Sequence, residues 1–230
     1  MRKILVLLAG LAVAAPLFAQ TKEDDRLRES VVVLKAVLGD PDKGVPHDIL
    51  DKSECVIVYP GVKKAAFVFG ASYGRGVITC RTGDDFGGLW GPPAMFALEG
   101  ASFGLQAGGQ ATDFVLLVMN QAGSASVLKS KVKIGGDASA AAGPVGRNAS
   151  AETDAVMKAE ILSWSRARGV FAGVSLSGST VRSDDGANKD LYGQELTATE
   201  IVRGGKVKTT TAGQPLLDYL NQVSPKHVSS

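Results

Sequence analysis

Histidine and cysteine are almost missing from this chain of 230 residues, with two of each, and their scarcity removes whole classes of chemistry. His47 and His227 beside Cys55 and Cys80 are too few, and too scattered, for a structural zinc site. The distance between the cysteines excludes a CxxC redox pair. Neither histidine has the setting of a catalytic base: His47 follows a proline in a polar segment, and His227 stands near the end of the chain. Nucleotide loops are absent as well. No GxxxxGK[ST] run occurs, since Gly143-Pro144-Val145-Gly146-Arg147-Asn148 ends on the wrong residues, and no GxGxxG follows a strand-like segment. The hydrolase elbow GxSxG fails at Gly173-Val174-Ser175-Leu176-Ser177, which lacks the second glycine. Ser183 to Asp190 gathers oxygen ligands without the DxDxDG spacing or the closing glutamate of a calcium loop, so it reads as an acidic turn.

Charge of one sign is also lacking. The formal net charge is +2, and taking away Arg2 and Lys3 with the N-terminal segment leaves the rest neutral, which gives no footprint of nucleic-acid binding. Long apolar runs are missing after residue 19. Before it, Arg2 and Lys3 precede the apolar stretch Ile4 to Val13, and Leu17-Phe18-Ala19 ends on a small residue, the pattern of a secretory signal peptide. The apolar core is shorter than the about 20 residues that span a bilayer, and no cysteine marks the cleavage point for lipid attachment. Residues 1–19 are therefore expected to be a leader, and the protein is expected to be periplasmic or secreted.

What the chain has in abundance is glycine, 28 residues in all. Glycine, alanine and serine dominate Gly91 to Gly146 on both sides of the apolar run Phe114 to Met119, which implies bulges and close backbone approaches in ordered structure. Ahead of this, Lys22 to Leu38 reads as an amphipathic helix with Leu27, Val31, Leu34 and Leu38 on one face and Glu23, Asp24 and Asp25 at the favourable end of the dipole. Gly39-Asp40-Pro41 stops it, and a helical turn is expected over Pro46 to Asp51. From Glu54 the texture is β. Cys55 to Tyr59 reads as a strand closed by Pro60-Gly61. Lys64 to Ser72 is the next, and Tyr73 to Gly76 reads as a turn into Val77 to Arg81. Further strands are expected at Ala101–Gln106, Thr112–Met119 and Val132–Ile134. The second half of Ala155–Ser165 reads as a hairpin partner of Val170–Leu176 across Arg166–Gly169. Short helices are expected at Ser124–Ser130, Thr199–Arg203 and Pro215–Gln222. The fold class is α+β: a β-rich single domain over residues 20–230, with an N-terminal helix (22–38), a β-rich core (54–182) built as a curved, mostly antiparallel, glycine-rich sheet or barrel, and C-terminal turns and helices (183–230).

No residue is assigned a catalytic or metal-binding role and no cofactor is expected. An enzymatic reading would have to use Glu99, Asp113 and Asp137. Basic residues gather around Lys63, Lys64, Arg75 and Arg81, around Lys129, Lys131 and Lys133, and at Arg166 and Arg168. The three alternating lysines would share one face of a strand, either as a cradle for anionic headgroups or as solvated lysines that protect a sheet edge. Trp90, beside Gly91-Pro92-Pro93, suits a membrane interface or the core. Cys55 and Cys80 border two strands of one expected sheet, so in an oxidising compartment they form a disulfide or remain two buried thiols.

The runs GASFGLQAGGQATDFVLLVMN, GGDASAAAGPVGR, SWSRARGVFAGVSLSGS and ANKDLYG, in this order, resemble the SYLF domain family, the lipid-binding module also described as an actin-regulator domain. The similarity extends from Ala36 to the C-terminus. It implies a β-rich α+β domain that binds phospholipids without enzymatic activity. The family's membrane-contacting N-terminal helix corresponds to Lys22–Leu38, where charges of both signs mix, so strong attraction to anionic lipid through that helix alone is not expected. The Src-homology and zinc-finger modules of eukaryotic members are not in this sequence, so actin is not expected as a partner. A phospholipid or membrane surface is the expected partner, with Lys63, Lys64, Arg75, Arg81, Trp90, Lys129, Lys131 and Lys133 as candidate contacts. An envelope scaffold that binds an unidentified protein is the alternative.

Overall fold

The computed structural model describes residues 21–40, 42–66, 69–103, 108–146, 158–167 and 169–228. The expected leader lies outside the described residues, as does Arg168. The side chains of residues 64–66, 69–70, 101–103 and 108–110 also lie outside the description.

Helix α1 (Lys22–Gly39) begins in a capping box in which Thr21 Oγ1 accepts from Asp24 N–H at 3.1 Å and Asp24 Oδ2 accepts from Thr21 N–H at 3.3 Å, so two orphan donors of the first turn are satisfied. Its apolar face, including Leu27, Val31, Leu34, Val37 and Leu38, is buried in the core. That face is occupied by the sheet, so it is not presented to a bilayer. Helix α2 (His47–Asp51) follows, with Pro46 as its N-cap.

Four long strands come next: β1 (Cys55–Ala66), β2 (Phe69–Cys80), β3 (Ala94–Phe103) and β4 (Gly108–Val118). Helix α3 (Gln121–Val127) leads to the short strands β5 (Lys131–Lys133) and β6 (Ala140–Ala142). After these come β7 (Ile161–Ala167), β8 (Val170–Gly173) and β9 (Thr180–Ser183), and then helices α4 (Asp185–Tyr192), α5 (Ala198–Val202) and α6 (Gln214–Val223). The sheet order is β5-β9-β3-β2-β1-β4-β7-β6, with β8 also on β7. Every pairing is antiparallel except β6 on β7. In a flat sheet, seven interstrand spacings of about 4.8 Å would hold β5 and β6 about 34 Å apart. Those outer strands are joined by residues 134–139 alone, and seven residue steps reach about 25 Å. The sheet therefore curls into a half-barrel.

Strand β1 is buried on both sides. Val56 and Val58 face the layer of α1, α2, α4 and α6. Cys55, Ile57 and Tyr59 face the concave side, filled by Phe96, Leu98, Phe114, Val132, Val181 and Ile201 of α5. This double burial explains the continuous apolar run CVIVY.

Several expectations change. Pro60-Gly61 does not close β1 but forms a bulge, where the register shifts against both β2 and β4. A bulge accommodates a proline without removing a ladder hydrogen bond. Tyr73 to Gly76 is not a turn either. A Cβ on Gly74 would lie 2.4 Å from Val62 Cγ2, and one on Gly76 would lie 2.0 Å from Val58 O, so these glycines let β2 pass straight over the bulge. Strand β3 starts at Ala94 instead of Ala101. The expected turn at Ser183–Asp190 is helix α4, with Asp184 as its N-cap, because the residues that favour turns also cap helices. Lys129 precedes β5 and is not part of it.

Candidate functional site

At one end of the sheet, Cys55 and Cys80 stand directly opposite each other in β1 and β2 and are bonded, with Cα atoms 4.0 Å apart. The next residue, Arg81, is fully buried. Its Nε donates to Ser53 O at 3.1 Å and its Nη2 to Ser224 Oγ at 2.6 Å. The guanidinium stacks 4.4 Å from the centroid of the Trp90 ring, a cation–π contact away from water. Trp90 Nε1 donates to Ser224 O at 3.0 Å, and Ser224 Oγ donates to Asp51 Oδ1 at 2.5 Å. Burial lowers the Arg81 pKa to about 10, with Asp51 acting in the opposite sense, so the group keeps its proton at neutral pH. Arg81 and Trp90 are therefore not surface contacts for lipid. They hold the segment after α6 against the start of β1, through a partner 143 residues away in sequence.

Beside this end, Glu54 is buried and its Oε2 accepts from Ser124 Oγ at 2.6 Å. Burial pushes its carboxyl above the ordinary value of 4.5, and the Ser124 hydrogen bond opposes this.

The three carboxylates available for an enzymatic reading are all engaged structurally. Glu99 pairs with Arg182 at 2.8 Å. Asp113 pairs with Arg166 at 2.6 Å and accepts from Gly61 N–H at 2.8 Å, which ties it to the bulge. Asp137 Oδ2 accepts from Lys133 N–H at 2.7 Å. Among the described residues, no group of three or more His, Cys, Asp or Glu is placed to hold a metal ion. A cleft of about 590 Å³ between α4 and α5 has an apolar floor of Leu128, Leu196 and Ala198. Three of its charged residues are paired, Lys189 with Glu195 at 2.7 Å and Glu200 with Lys206 at 2.5 Å.

Most of the remaining basic candidates fall on one face. The register runs Lys63↔Tyr73↔Glu99↔Thr180↔Lys133 across β1, β2, β3, β9 and β5, and directly opposed residues point the same way. Val62, Leu98, Val132 and Val181 belong to the concave core, so their neighbours Lys63, Glu99, Lys131, Lys133, Thr180 and Arg182 stand on the opposite, convex side. Arg75 shares that side with Tyr73, donates to its hydroxyl at 2.9 Å and pairs with Asp184 at 3.2 Å. Lys63, Lys131 and Lys133 are exposed, and no ion pair among the described residues involves them. Lys129 is exposed but outside the strand, and the Lys64 side chain lies outside the described residues. Sequence reasoning missed Arg182 and Tyr73. The polar-apolar-polar alternation Thr180-Val181-Arg182 carried the signal for the first.

Comparison with known proteins adds the biological frame. The profile of the Ysc84 family, described as Las17-binding protein actin regulator, matches residues 99–223. An SH3 domain-containing protein of Schizosaccharomyces pombe is 33% identical over 206 residues, covering 88% of this chain and 46% of that protein. LAS seventeen-binding protein 3 of Saccharomyces cerevisiae is 32% identical over 205 residues, covering 88% of this chain and 43% of that protein. SH3 domain-containing YSC84-like protein 1 of Mus musculus is 29% identical over 188 residues, covering 81% and 54%. The chain thus spans about half the length of the curated relatives it matches. Their names are those of binding and regulatory proteins. The family description overturns the expectation that actin is not a partner, since it names a Las17-binding actin regulator, and the yeast relative is likewise named for binding LAS seventeen. With the profile covering more than half of the chain and the β-rich half-barrel in place, the chain belongs to the Ysc84 family, the SYLF-domain family described as Las17-binding protein actin regulator.

Proposed function

We propose that this domain is a non-catalytic binding module that attaches to anionic phospholipid surfaces through the convex basic face of β5, β9, β3, β2 and β1. The observation that carries the reading is the shared register row, which sets exposed Lys63 and Lys133 on one face, with Lys131, Arg75 and Arg182 close by. Each exposed lysine near an anionic surface contributes about 1 kcal/mol, and arginines already paired to carboxylates contribute less. The leader pattern at residues 1–19 supports a periplasmic or secreted setting for this face. The engaged carboxylates support binding without turnover.

The test is co-sedimentation of residues 20–230 with vesicles of phosphatidylcholine and phosphatidylglycerol in equal parts, at several salt concentrations. Binding is expected to weaken as salt rises. Replacing Lys63, Lys131 and Lys133 together by alanine is expected to weaken it about a hundredfold. Failure to sediment with any vesicle, or a triple variant that binds as well as the parent, would sink the reading.

A second reading is favoured by the family description: the domain engages a protein of the actin machinery. Co-pelleting with purified actin filaments, in the absence of lipid, tests it separately.

A further inference from the structure

The convex face is built from two rows. One is Lys63↔Tyr73↔Glu99↔Thr180↔Lys133, and the other, two residues along each strand, is Arg75↔Ala97↔Arg182↔Lys131. Residues two apart on a strand share its face and stand about 7 Å from each other. Glu99 is thus a carboxylate set among Lys63, Arg75, Lys131, Lys133 and Arg182.

These cations are of two kinds. The three lysines have no ion pair among the described residues, whereas each arginine is met by a carboxylate. Arg182 Nε donates to Glu99 Oε1 at 2.8 Å. Arg75 Nε donates to the Tyr73 hydroxyl at 2.9 Å and lies 3.2 Å from Asp184 Oδ2. Asp184 is the N-cap of α4 at the border of the face, and its charge bears on Arg182 as well. Both carboxylates take a single N–H instead of the two-pronged fork that makes an arginine pair strong. Both arginines are partly exposed, a setting in which an ion pair adds little. Among the described residues, the one hydrogen bond made by their terminal nitrogens runs from Arg182 Nη1 to Ser183 O, at 3.2 Å.

We propose that Glu99 and Asp184 are built-in competitors of lipid phosphate for Arg182 and Arg75, which makes the face selective for surfaces dense in anionic lipid. The proposal rests on the phospholipid-binding reading above and names the residues that set its specificity. Where anionic lipids are sparse, the lysines act alone, because each arginine is neutralised by the carboxylate beside it. Where phosphates are crowded, one that reaches the open Nη edge of a guanidinium makes two charge-assisted hydrogen bonds and outcompetes a single-contact partner. Glu99 lies inside the row and has the larger effect. The Asp184 side chain is only 10% exposed, and its effect is smaller.

The experiment is co-sedimentation of the same domain with phosphatidylcholine vesicles of graded phosphatidylglycerol content. Glu99→Gln keeps the size of the side chain, and Asp184→Asn keeps a residue that caps a helix, so both variants are expected to unfold in urea close to the parent's midpoint. At low phosphatidylglycerol content, Glu99→Gln is expected to bind about fivefold more tightly than the parent and Asp184→Asn about twofold, with half-maximal binding moved to a lower content. The control is Glu195→Gln, the same change of charge outside the two rows, which releases Lys189 and is expected to bind like the parent. Adding Arg182→Ala to Glu99→Gln is expected to remove the gain. Parent-like binding by Glu99→Gln, an equal gain in the control, or a gain that survives Arg182→Ala overturns the proposal and leaves the lipid reading standing. Parent-like binding by Asp184→Asn overturns its part at Arg75, and that variant alone carries the test if Glu99→Gln does not fold. No sedimentation of the parent or of any variant overturns both readings.

Discussion

The same four strands end in two opposite ways. At the Cys55–Cys80 end, the sheet is closed by a disulfide, a buried arginine stacked on Trp90, and the C-terminal segment strapped across α2. Val228 N–H donates to Asp51 O at 2.9 Å to finish the strap. At the other end, β1 to β4 continue past a basic row as paired, glycine- and alanine-rich strands. One end holds specific partners that each satisfy a named polar group. The other carries the exposed cations Lys63, Lys131 and Lys133 on one face. Stability comes from buried, satisfied groups, and the proposed binding would need groups whose partners come from outside.

Substitutions that break this contrast should have graded effects. The largest is expected from Arg81→Ala, which removes the stacking on Trp90 and leaves Ser53 O and Ser224 Oγ without their donor. A loss of about 3–5 kcal/mol is expected by urea unfolding. An unfolding midpoint equal to the parent's would show that the strap does not hold this end. Replacing Cys55 and Cys80 together by alanine opens a cross-link of sequence separation 25 and is expected to cost about 3 kcal/mol. Vesicle binding by the folded fraction should be retained, since the disulfide lies at the far end from the basic row.

Lys133→Ala sharpens the contrast from the other side. It is expected to weaken vesicle binding by about 1 kcal/mol while unfolding stays within about 0.5 kcal/mol of the parent. A large loss of stability would make Lys133 a structural residue. The smallest effect is expected from Glu54→Gln. Burial holds the Glu54 carboxyl above 4.5, so ionisation is opposed in the fold. The stability linked to that shift is present below 4.5 and is lost as pH rises through the folded value. The variant should therefore gain on the parent in melting temperature toward neutral pH and match it in acid. A difference that does not depend on pH would count against this.

Much of the architecture was legible because local patterns carry it. Helix α1 followed from the spacing of Leu27, Val31, Leu34 and Leu38 together with its acidic first turn. Strand β1 declared itself as CVIVY, and the hairpin of β7 and β8 followed from alternation around Arg166 and Gly169. Glycine misled where its use was tertiary. Gly74 and Gly76 read as a turn, yet they serve a close crossing over the bulge at Pro60-Gly61. The segment Ser183–Asp190 read as a turn because Asp and Asn favour turns and helix caps alike. Here Asn188 Oδ1 accepts from Met95 N–H at 2.6 Å and helps dock α4 on β3, a contact between residues 93 apart.

The candidate surface was legible by halves. Lys63, Lys131 and Lys133 were named from alternation and clustering, whereas Arg81 and Trp90 were named for their chemistry and proved to be interior. Burial of an arginine depends on Ser53, Ser224 and Trp90 converging on it, and no local pattern records that convergence.

By itself, the sequence determined the β-rich class, the lack of metal and nucleotide motifs, and the family, because composition, periodicity and ordered motifs are properties of neighbours along the chain. The tertiary structure alone decided that Lys63 and Lys133 share a row and that Arg81 lies inside. Each of these depends on strand register and on the order of strands in the curled sheet, and those are fixed by long-range pairing and packing rather than by any stretch of residues read on its own.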